Sequence, residues 1–553
     1  MIKTHQLSLI GAPIFVFTTY LCVAVWLLLT GHPHEDAYIL NTYARNLADG
    51  YGISYFAGGA PAEGATDFLW MLLLAMAERV GIDGALFAHI LNGAGLSIIT
   101  GLAVKLSGAT MAGWRQAGSV ALLVLLITTS QVTQAALAGF STGFYCGAIA
   151  LLFYLLYRPA GVHLVYIPML GLVTGLIRPD GVIIGITATL IGAIMSRQTA
   201  CMRRYLYVSG ACLCLGIIYF VWRIQYFGYW LPLPLIVKSA DAQVLPGLAG
   251  HVDWAARNFY LGAAALTVFL LSNHRWRLLT ASLPVGVLLI ALLFANQSQN
   301  IADRFQAPAT TVLILWCAIY LGALISRHSK AIEYWNRATY ASIVAMLVLA
   351  VNQAAQASVA RVSYLREHEY INSFPYFLSY ATSSQTRFAI TEAGRFSFWL
   401  PGQKFDLIGL NTPEFALTQV TPESLAALRA DLYFAHLAGS ADFSSYCQQN
   451  VCELTRTQIE SSLTPDSDAW QHARNPVFRA PRAVLSHYLH NSDSYRAYVV
   501  RYNKGYHHLY LLNIHGQLAQ SALESALTLS FQAEGRLSYW DLRRASKLDS
   551  GLP

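Results

Sequence analysis

Apolar residues recur in long runs from Leu7 to about Asn352, and beyond that point the pattern stops. A helix needs about 20 mostly apolar residues to cross a bilayer. Runs that reach or approach this length lie at 8–30, 85–106, 117–134, 142–157, 163–177, 181–196, 205–222, 257–272, 278–295, 307–325 and 338–352. About eleven transmembrane helices are therefore expected. One further run, from Phe68 to Val80, is short and ends in Glu78-Arg79. Its length suits a helix lying in the membrane interface. With that run off the count and the N-terminus inside, the inner loops hold Lys105 and Arg115, Arg158, Arg197 with Arg203 and Arg204, Arg275 with Arg277, and Arg327 with Lys330 and Arg337. Nearly every basic cluster is then cytoplasmic, as positive-inside orientation requires. Counting the short run as a span would turn all of them outward.

After residue 352 shorter periods take over. Residues 388–391, 396–399 and 405–408 read as short strands between Gly and Pro signals. Residues 422–429 read as a helix with Thr421 as its N-cap, followed by a strand at 432–435. Residues 495–502 and 507–512 flank Asn503-Lys504-Gly505, a hairpin signal, and 518–548 is helical in pattern. The organisation expected is a polytopic α-helical membrane domain over 1–352, with a first outer loop at 31–84 that carries the interfacial helix 68–80. A C-terminal soluble α/β domain over 353–553 then lies outside the cytosol.

Composition agrees with this pattern. Of 553 residues, 55% are hydrophobic and 12% charged, against roughly 25% charged in soluble domains. The net charge of +7 sits largely in short loops between spans, so bilayer orientation explains it and no nucleic-acid partner is implied. The first run ends at Leu29-Thr30-Gly31 without a small-residue cleavage pattern and reads as an uncleaved span. Six cysteines, Cys22, Cys146, Cys201, Cys212, Cys214 and Cys317, fall in or beside spans; Cys447 and Cys452 form a C-x4-C pair in the tail. In a tail outside the cytosol a small disulfide loop is the natural reading, because the local sequence supplies no further metal ligands.

The same topology gathers the chemistry on the outer face. Glu35 and Asp36 sit where the first span meets water, and a carboxylate there can serve as general base to an acceptor hydroxyl within reach. Alone they would be ordinary surface acids. Glu63 and Asp67 share their loop, however, and Gly50, Gly52, Gly58 and Gly59 let its two acidic ends fold together. Arg178-Pro179-Asp180 ends one span and turns into the next. Its guanidinium suits a phosphate at headgroup depth, the alternative being a structural Arg–Asp pair that closes the turn. Lys238 and Arg304 are further outward cations, which could instead snorkel. Three cations on one face favour an anionic lipid headgroup. His34, His89 and His251 form no spaced metal motif, and whether Asp36 with a second carboxylate holds a divalent metal ion is left open.

With these residues in place, the chain resembles the GT-C superfamily of polyprenyl-phosphate-sugar-dependent glycosyltransferases, and within it the terminal arabinofuranosyltransferase family of mycobacterial cell-wall synthesis. The resemblance rests on Glu35-Asp36-Ala37-Tyr38, on Tyr43-Ala44-Arg45 through Gly52, and on Glu63-Gly64-Ala65-Thr66-Asp67-Phe68-Leu69-Trp70. Arg178-Pro179-Asp180-Gly181, the stretch from Tyr226 to Lys238, Ala393-Gly394 and Asp406-Leu407-Ile408-Gly409-Leu410 extend it. It implies an inverting glycosyltransferase that moves one sugar, arabinofuranose in that family, from a polyprenyl-phosphate donor to a glycan or glycoconjugate acceptor. The implied place is the outer face of a bacterial inner membrane, with the active site and C-terminal domain toward the periplasm.

Carried onto this chain, the resemblance gives the catalytic role to Asp36 or Glu35, Asp36 being favoured. It gives the donor phosphate to Arg178 with Lys238 or Arg304, and supporting roles to Asp180, Arg45, Glu63, Asp67 and Trp70. There are two departures. Glu35-Asp36 stands where the family often has two aspartates, and Gly139-Phe140-Ser141-Thr142 where it often has Gly-Leu-Glu-Thr, which removes a carboxylate from the outer face. The competing class is a transporter or flippase of lipid-linked glycans. That class would put ionisable residues and broken helices near mid-membrane in pseudo-symmetric halves; here they gather at the outer boundary and no repeat is visible.

Overall fold

The computed structural model describes residues 2–549 apart from 109–113, 198, 240–244, 298, 326–332, 368, 438–440, 442, 464–475, 503–505 and 535. The apolar part is helical throughout. Among the described residues five helices are long and apolar enough to cross a membrane, or seven if two bent pairs count as one span each. The pairs are Gln116–Thr129 with Gln131–Leu137, bent by 46°, and Leu248–Arg257 with Phe259–Leu271, bent by 82°. Four shorter apolar helices, Thr142–Tyr157, Val162–Ile177, Gly181–Ser196 and Ala307–Leu321, complete the set. Each expected span falls on one of these. Arg327 and Lys330, counted above as inner charges, lie outside the described residues.

Lipid is as apolar as a leucine side chain, so helices in it associate through close packing at small residues. Gly95 meets the backbone of Gly143 so closely that a Cβ would overlap it, and Gly171 meets Gly185 in the same way. Met202–Phe227 is the opposite case, with only 6% of its most apolar window buried. Phe68–Arg79 is a helix of 12 residues, about 18 Å long and too short to span. It packs against Glu35–Ala48, burying Trp70, Met71 and Leu74 while Met76 stays exposed.

The last long helix, Glu333–Leu365, leads through Tyr370–Ser379 into the tail. There β1 (Arg387–Ile390), β2 (Gln403–Asp406), β3 (Leu432–His436), β4 (Val451–Leu454), β5 (Tyr495–Tyr502) and β6 (Tyr506–Asn513) form one sheet in the order β2-β1-β3-β6-β5-β4. β1 runs parallel to β2 and β3, and the remaining pairs are antiparallel. The chain is thus a polytopic helical protein with a C-terminal α/β domain. Thr421 caps Pro422–Leu428 with a capping box, and Cys447 and Cys452 are disulfide-bonded with Cα atoms 5.6 Å apart. The hairpin turn at Asn503-Lys504-Gly505 lies outside the described residues.

Two expectations for the tail are corrected. Residues 396–399 are not a strand but part of the helix Arg395–Trp399. All four side chains are buried, so the run carries no alternation by which a strand could be told from a buried helix. Parallel pairing of β1 with β2 also demands a crossover off the sheet, which this helix supplies. The second correction is that 518–548 divides into Gln520–Gln532 and Tyr539–Asp549.

The second of these helices bolts the tail to the membrane part. Arg543 reaches Glu78 at 2.8 Å and Asp83 at 2.9 Å, Tyr539 donates to Asp83, and Asp83 also caps the Gly84–Ser107 helix. All three charged side chains are at most 11% exposed. Arg543→Met would strand two buried carboxylates, an uncompensated charge that costs about 3–5 kcal/mol. Thermal unfolding of the detergent-solubilised protein should show a clearly lowered midpoint. Arg496→Ala, which removes the exposed Arg496–Glu453 pair, should leave that midpoint where it is.

Candidate active site

The first span ends at Thr30, and four residues later the Glu35–Ala48 helix begins with His34 as N-cap, its imidazole accepting the Asp36 N–H at 3.3 Å. Glu35 and Asp36 therefore occupy a helix's first turn, where unpaired N–H groups and the helix dipole favour negative charge. Adjacent residues on a helix point about 100° apart, and these two carboxylates part accordingly. Asp36 lines a cavity of about 390 Å³ between the helices and the tail. Glu35 faces the tail instead and accepts the backbone N–H of Gly394.

Five of the other residues singled out in sequence meet at that cavity or on its wall. Arg304 reaches Asp36 at 3.4 Å and stacks its guanidinium 4.1 Å above the Phe140 ring. Arg178 forks onto Asp180 at 3.0 and 3.1 Å. Asp67 accepts a 2.5 Å hydrogen bond from Ser141. Lys238 has its ammonium 5.4 Å from the Phe305 ring and donates no hydrogen bond to any described residue. The lining also has an apolar part, made by Ile183, Leu288, Ala291 and Leu292 of the spans and by Pro232 and Leu235.

Burial works against the charge on Asp36, but Arg304 and then His34 outweigh it and hold this carboxyl below the usual aspartate range. Glu35 goes the other way: burial, then the nearby carboxylates of Glu392 and Asp36, push it well above the usual glutamate range. Within one turn the two acids are thus pushed in opposite directions. Burial also raises Asp67 despite Arg178, and it lowers His34 to about 4. Lys238 is brought down to about 8 by burial and by the neighbouring charge of Arg304.

The remaining expected site residues stand outside the cavity. Glu63 is locked to Arg223 at 2.6 Å, and that arginine also binds the Trp230 carbonyl. Arg45 donates to the Phe398 carbonyl and lies 3.8 Å from the Phe398 ring centroid, in contact with the tail. Trp70 is fully buried beside Phe144. Cys447 packs within the tail's own core. As for a divalent ion, each carboxylate at the cavity already faces Arg304, Ser141 or Arg178, and three cations share the space. Hard cations want several oxygen ligands with their charge uncompensated, and these residues do not fit one. Among the described residues no group of three or more His, Cys, Asp or Glu side chains is placed to hold a metal ion.

Sequence reasoning named Arg304 and the segment of Ser141, but neither the partner of the serine nor the backbone that carries the arginine. Ser141 hydrogen-bonds Asp67 from the Gly139-Phe140-Ser141-Thr142 segment. Arg304 follows two consecutive residues in left-handed backbone, Ala302 (φ 54°) and Asp303 (φ 52°). For side chains with a Cβ such conformations cost about 1–2 kcal/mol each, and of the two only the aspartate is a residue type that adopts them more readily. Only the acid–base pair Asp303-Arg304 in a loop hinted that the segment had work to do.

No protein-family model matches this chain, and no curated protein matches it. Among solved structures it is similar to ArnT from Cupriavidus metallidurans. The apo crystal structure gives a TM-score of 0.49 at 14% identity, covering 78% of this chain and 95% of that one. The form bound to undecaprenyl phosphate gives 0.49 at 13%, covering 92% and 99%. Likeness of this degree brings neither a reaction nor a substrate with it.

Proposed function

We propose that this protein is a GT-C-type inverting glycosyltransferase that moves one sugar from a polyprenyl-phosphate donor to a glycan or glycoconjugate acceptor on the outer face of the membrane. The observation that carries the reading is one cavity in which an ionised carboxylate, Asp36, faces Arg304, Lys238 and Arg178 beside an apolar wall built by spans. A prenyl chain suits that wall, and its phosphate suits the cations. Lys238 donates no hydrogen bond to any described residue and has its ammonium near the Phe305 ring. Arg304 is held to Asp36 at 3.4 Å, longer than the roughly 2.7–2.9 Å of a strong charged pair, so it can turn toward a phosphate at little cost.

The chemistry follows from these positions. The acceptor hydroxyl gives its proton to Asp36 while its oxygen attacks the anomeric carbon from the side opposite the phosphate. The bond from that carbon to the phosphate oxygen breaks, and its electron pair leaves on the lipid phosphate. The departing group is a weak base, so stabilisation of its charge by Lys238 and Arg304 matters more than a strong general acid. Arabinofuranose as the sugar is supported by the first-loop resemblance, and a periplasmic active site by the inner placement of the basic loops.

The test is transfer from a panel of synthetic polyprenyl-phosphate sugars by the reconstituted protein. Transfer that depends on Asp36 supports the reading. Lipid translocation without transfer overturns it in favour of a flippase.

A pH profile of kcat/KM adds an independent check. Asp36 is held below the ordinary carboxylate range, so its base form persists as pH falls and activity should survive mild acidification. Lys238 is a cation below about 8 and loses its charge as pH rises through that value, whereas an ordinary lysine keeps it to about 10.4. Activity should therefore decline on the alkaline side near 8, and Lys238→Arg should remove that limb.

A further inference from the structure

The segment that delivers Arg304 to the cavity is bent into a shape it would not adopt unaided. Ala302 and Asp303 are successive non-glycine residues in left-handed backbone. Immediately after them Arg304 turns onto Asp36 and the Phe140 ring. Part of the turn is fixed from within: Asn300 accepts the Phe305 N–H at 3.1 Å and donates to Gln306 at 2.6 Å, and the Gln306 N–H returns to the Asp303 carbonyl.

The strained residue itself is gripped from another helix. Asp303 is 4% exposed and accepts two hydrogen bonds from Arg257, at 2.9 and 2.6 Å. Asp253 and Arg361 also act on it electrostatically, but among the described residues only Arg257 is hydrogen-bonded to its carboxylate. Arg257 ends the Leu248–Arg257 arm at the 82° elbow. That arm is itself anchored, since Trp254 donates to Thr310 at 3.0 Å and Thr310 to Gln131 at 3.1 Å. The planar guanidinium fork fixes the direction of the carboxylate as well as its distance.

We infer that Arg257, which does not line the cavity, is a positioning residue that acts through Asp303 to aim Arg304 at the phosphate of a lipid-linked donor. The inference rests on the phosphate role given above to the cavity's cations. It explains why a half-exposed arginine and a buried aspartate are paired so firmly beside a turn that costs energy to form. Without the pair the 302–303 backbone relaxes and Arg304 leaves its place.

The experiment is binding of undecaprenyl phosphate to the detergent-solubilised full chain, followed by calorimetry. Arg257→Ala should weaken binding about tenfold or more, as loss of a hydrogen-bonded charge does. Arg304→Ala should weaken it comparably. Adding Arg257→Ala to Arg304→Ala should change nothing further, because both act through one group. Arg257→Lys, which keeps the charge and loses the fork, should restore only part. Asp303→Asn keeps the shape and should reproduce Arg257→Ala, and it carries the test if that variant fails to fold. Wild-type affinity in both Arg257→Ala and Asp303→Asn, or fully multiplicative effects in the double variant, would overturn the inference. Wild-type affinity in both Arg304→Ala and Lys238→Ala would instead remove the phosphate site, and with it the reading on which the inference rests.

Discussion

Asp36→Asn should abolish transfer, lowering kcat by about 10³-fold or more, while Glu35→Gln stays within about tenfold of the intact protein; the loss is that of a general base. The asymmetry is the informative part. The two residues are adjacent and both acidic, but the helix turns Asp36 into the cavity and Glu35 toward Gly394. Arg304 keeps the Asp36 charge in spite of burial, and asparagine can take no proton in its place. Glu35 is already driven toward its neutral form by burial and by Glu392, and a glutamine oxygen can still accept the Gly394 N–H. Initial rates at equal folded amount decide the matter. If Asp36→Asn turned over normally while Glu35→Gln did not, the two roles would be exchanged.

Hydropathy made the spans legible, because a helix in lipid must be apolar for its full length. The basic loops gave an expectation of sidedness. Part of the cavity's lining was legible for a related reason: Asp36, Arg178, Lys238 and Arg304 are charges in or beside the loops between spans, and all four reach one cavity. What sequence could not show was direction and pairing. Glu63 looked equivalent to Asp67, yet Arg223, 160 positions later, takes it out of the cavity. Arg45 lies off the cavity and holds the Phe398 carbonyl, a contact no sequence spacing announces. The left-handed pair at Ala302 and Asp303 has no glycine or asparagine to announce it, and its partner Arg257 is 46 positions away. Residues 396–399 misled because a short, wholly buried run has no period to read.

Gly394→Ala should lower kcat by about 10²-fold with much less effect on the donor KM. The segment around Gly394 lies along the Glu35–Ala48 helix as a splint. Tyr55 donates to the Ala393 carbonyl at 2.7 Å, Gly394 donates to Glu35, the Thr42 and Ser397 hydroxyls meet at 3.0 Å, and Arg45 binds the Phe398 carbonyl at 2.9 Å. Gly394 has φ −90° and ψ −72°, so no positive φ demands a glycine here. The demand is for space, because a Cβ would overlap the backbone oxygen of Glu35. Backbone against backbone leaves no flexible side chain to yield, and the helix start must shift, taking Asp36 with it. Misplacement of a reacting group by about 1 Å can cost 10² in rate. Arg178, Lys238 and Arg304 stand on other elements, so donor binding should largely persist. Ser397→Ala, in the same contact but without the overlap, should stay near the intact rate. Full turnover by Gly394→Ala would show that the tail does not set the position of the base, and its contact with the helix would then serve stability alone.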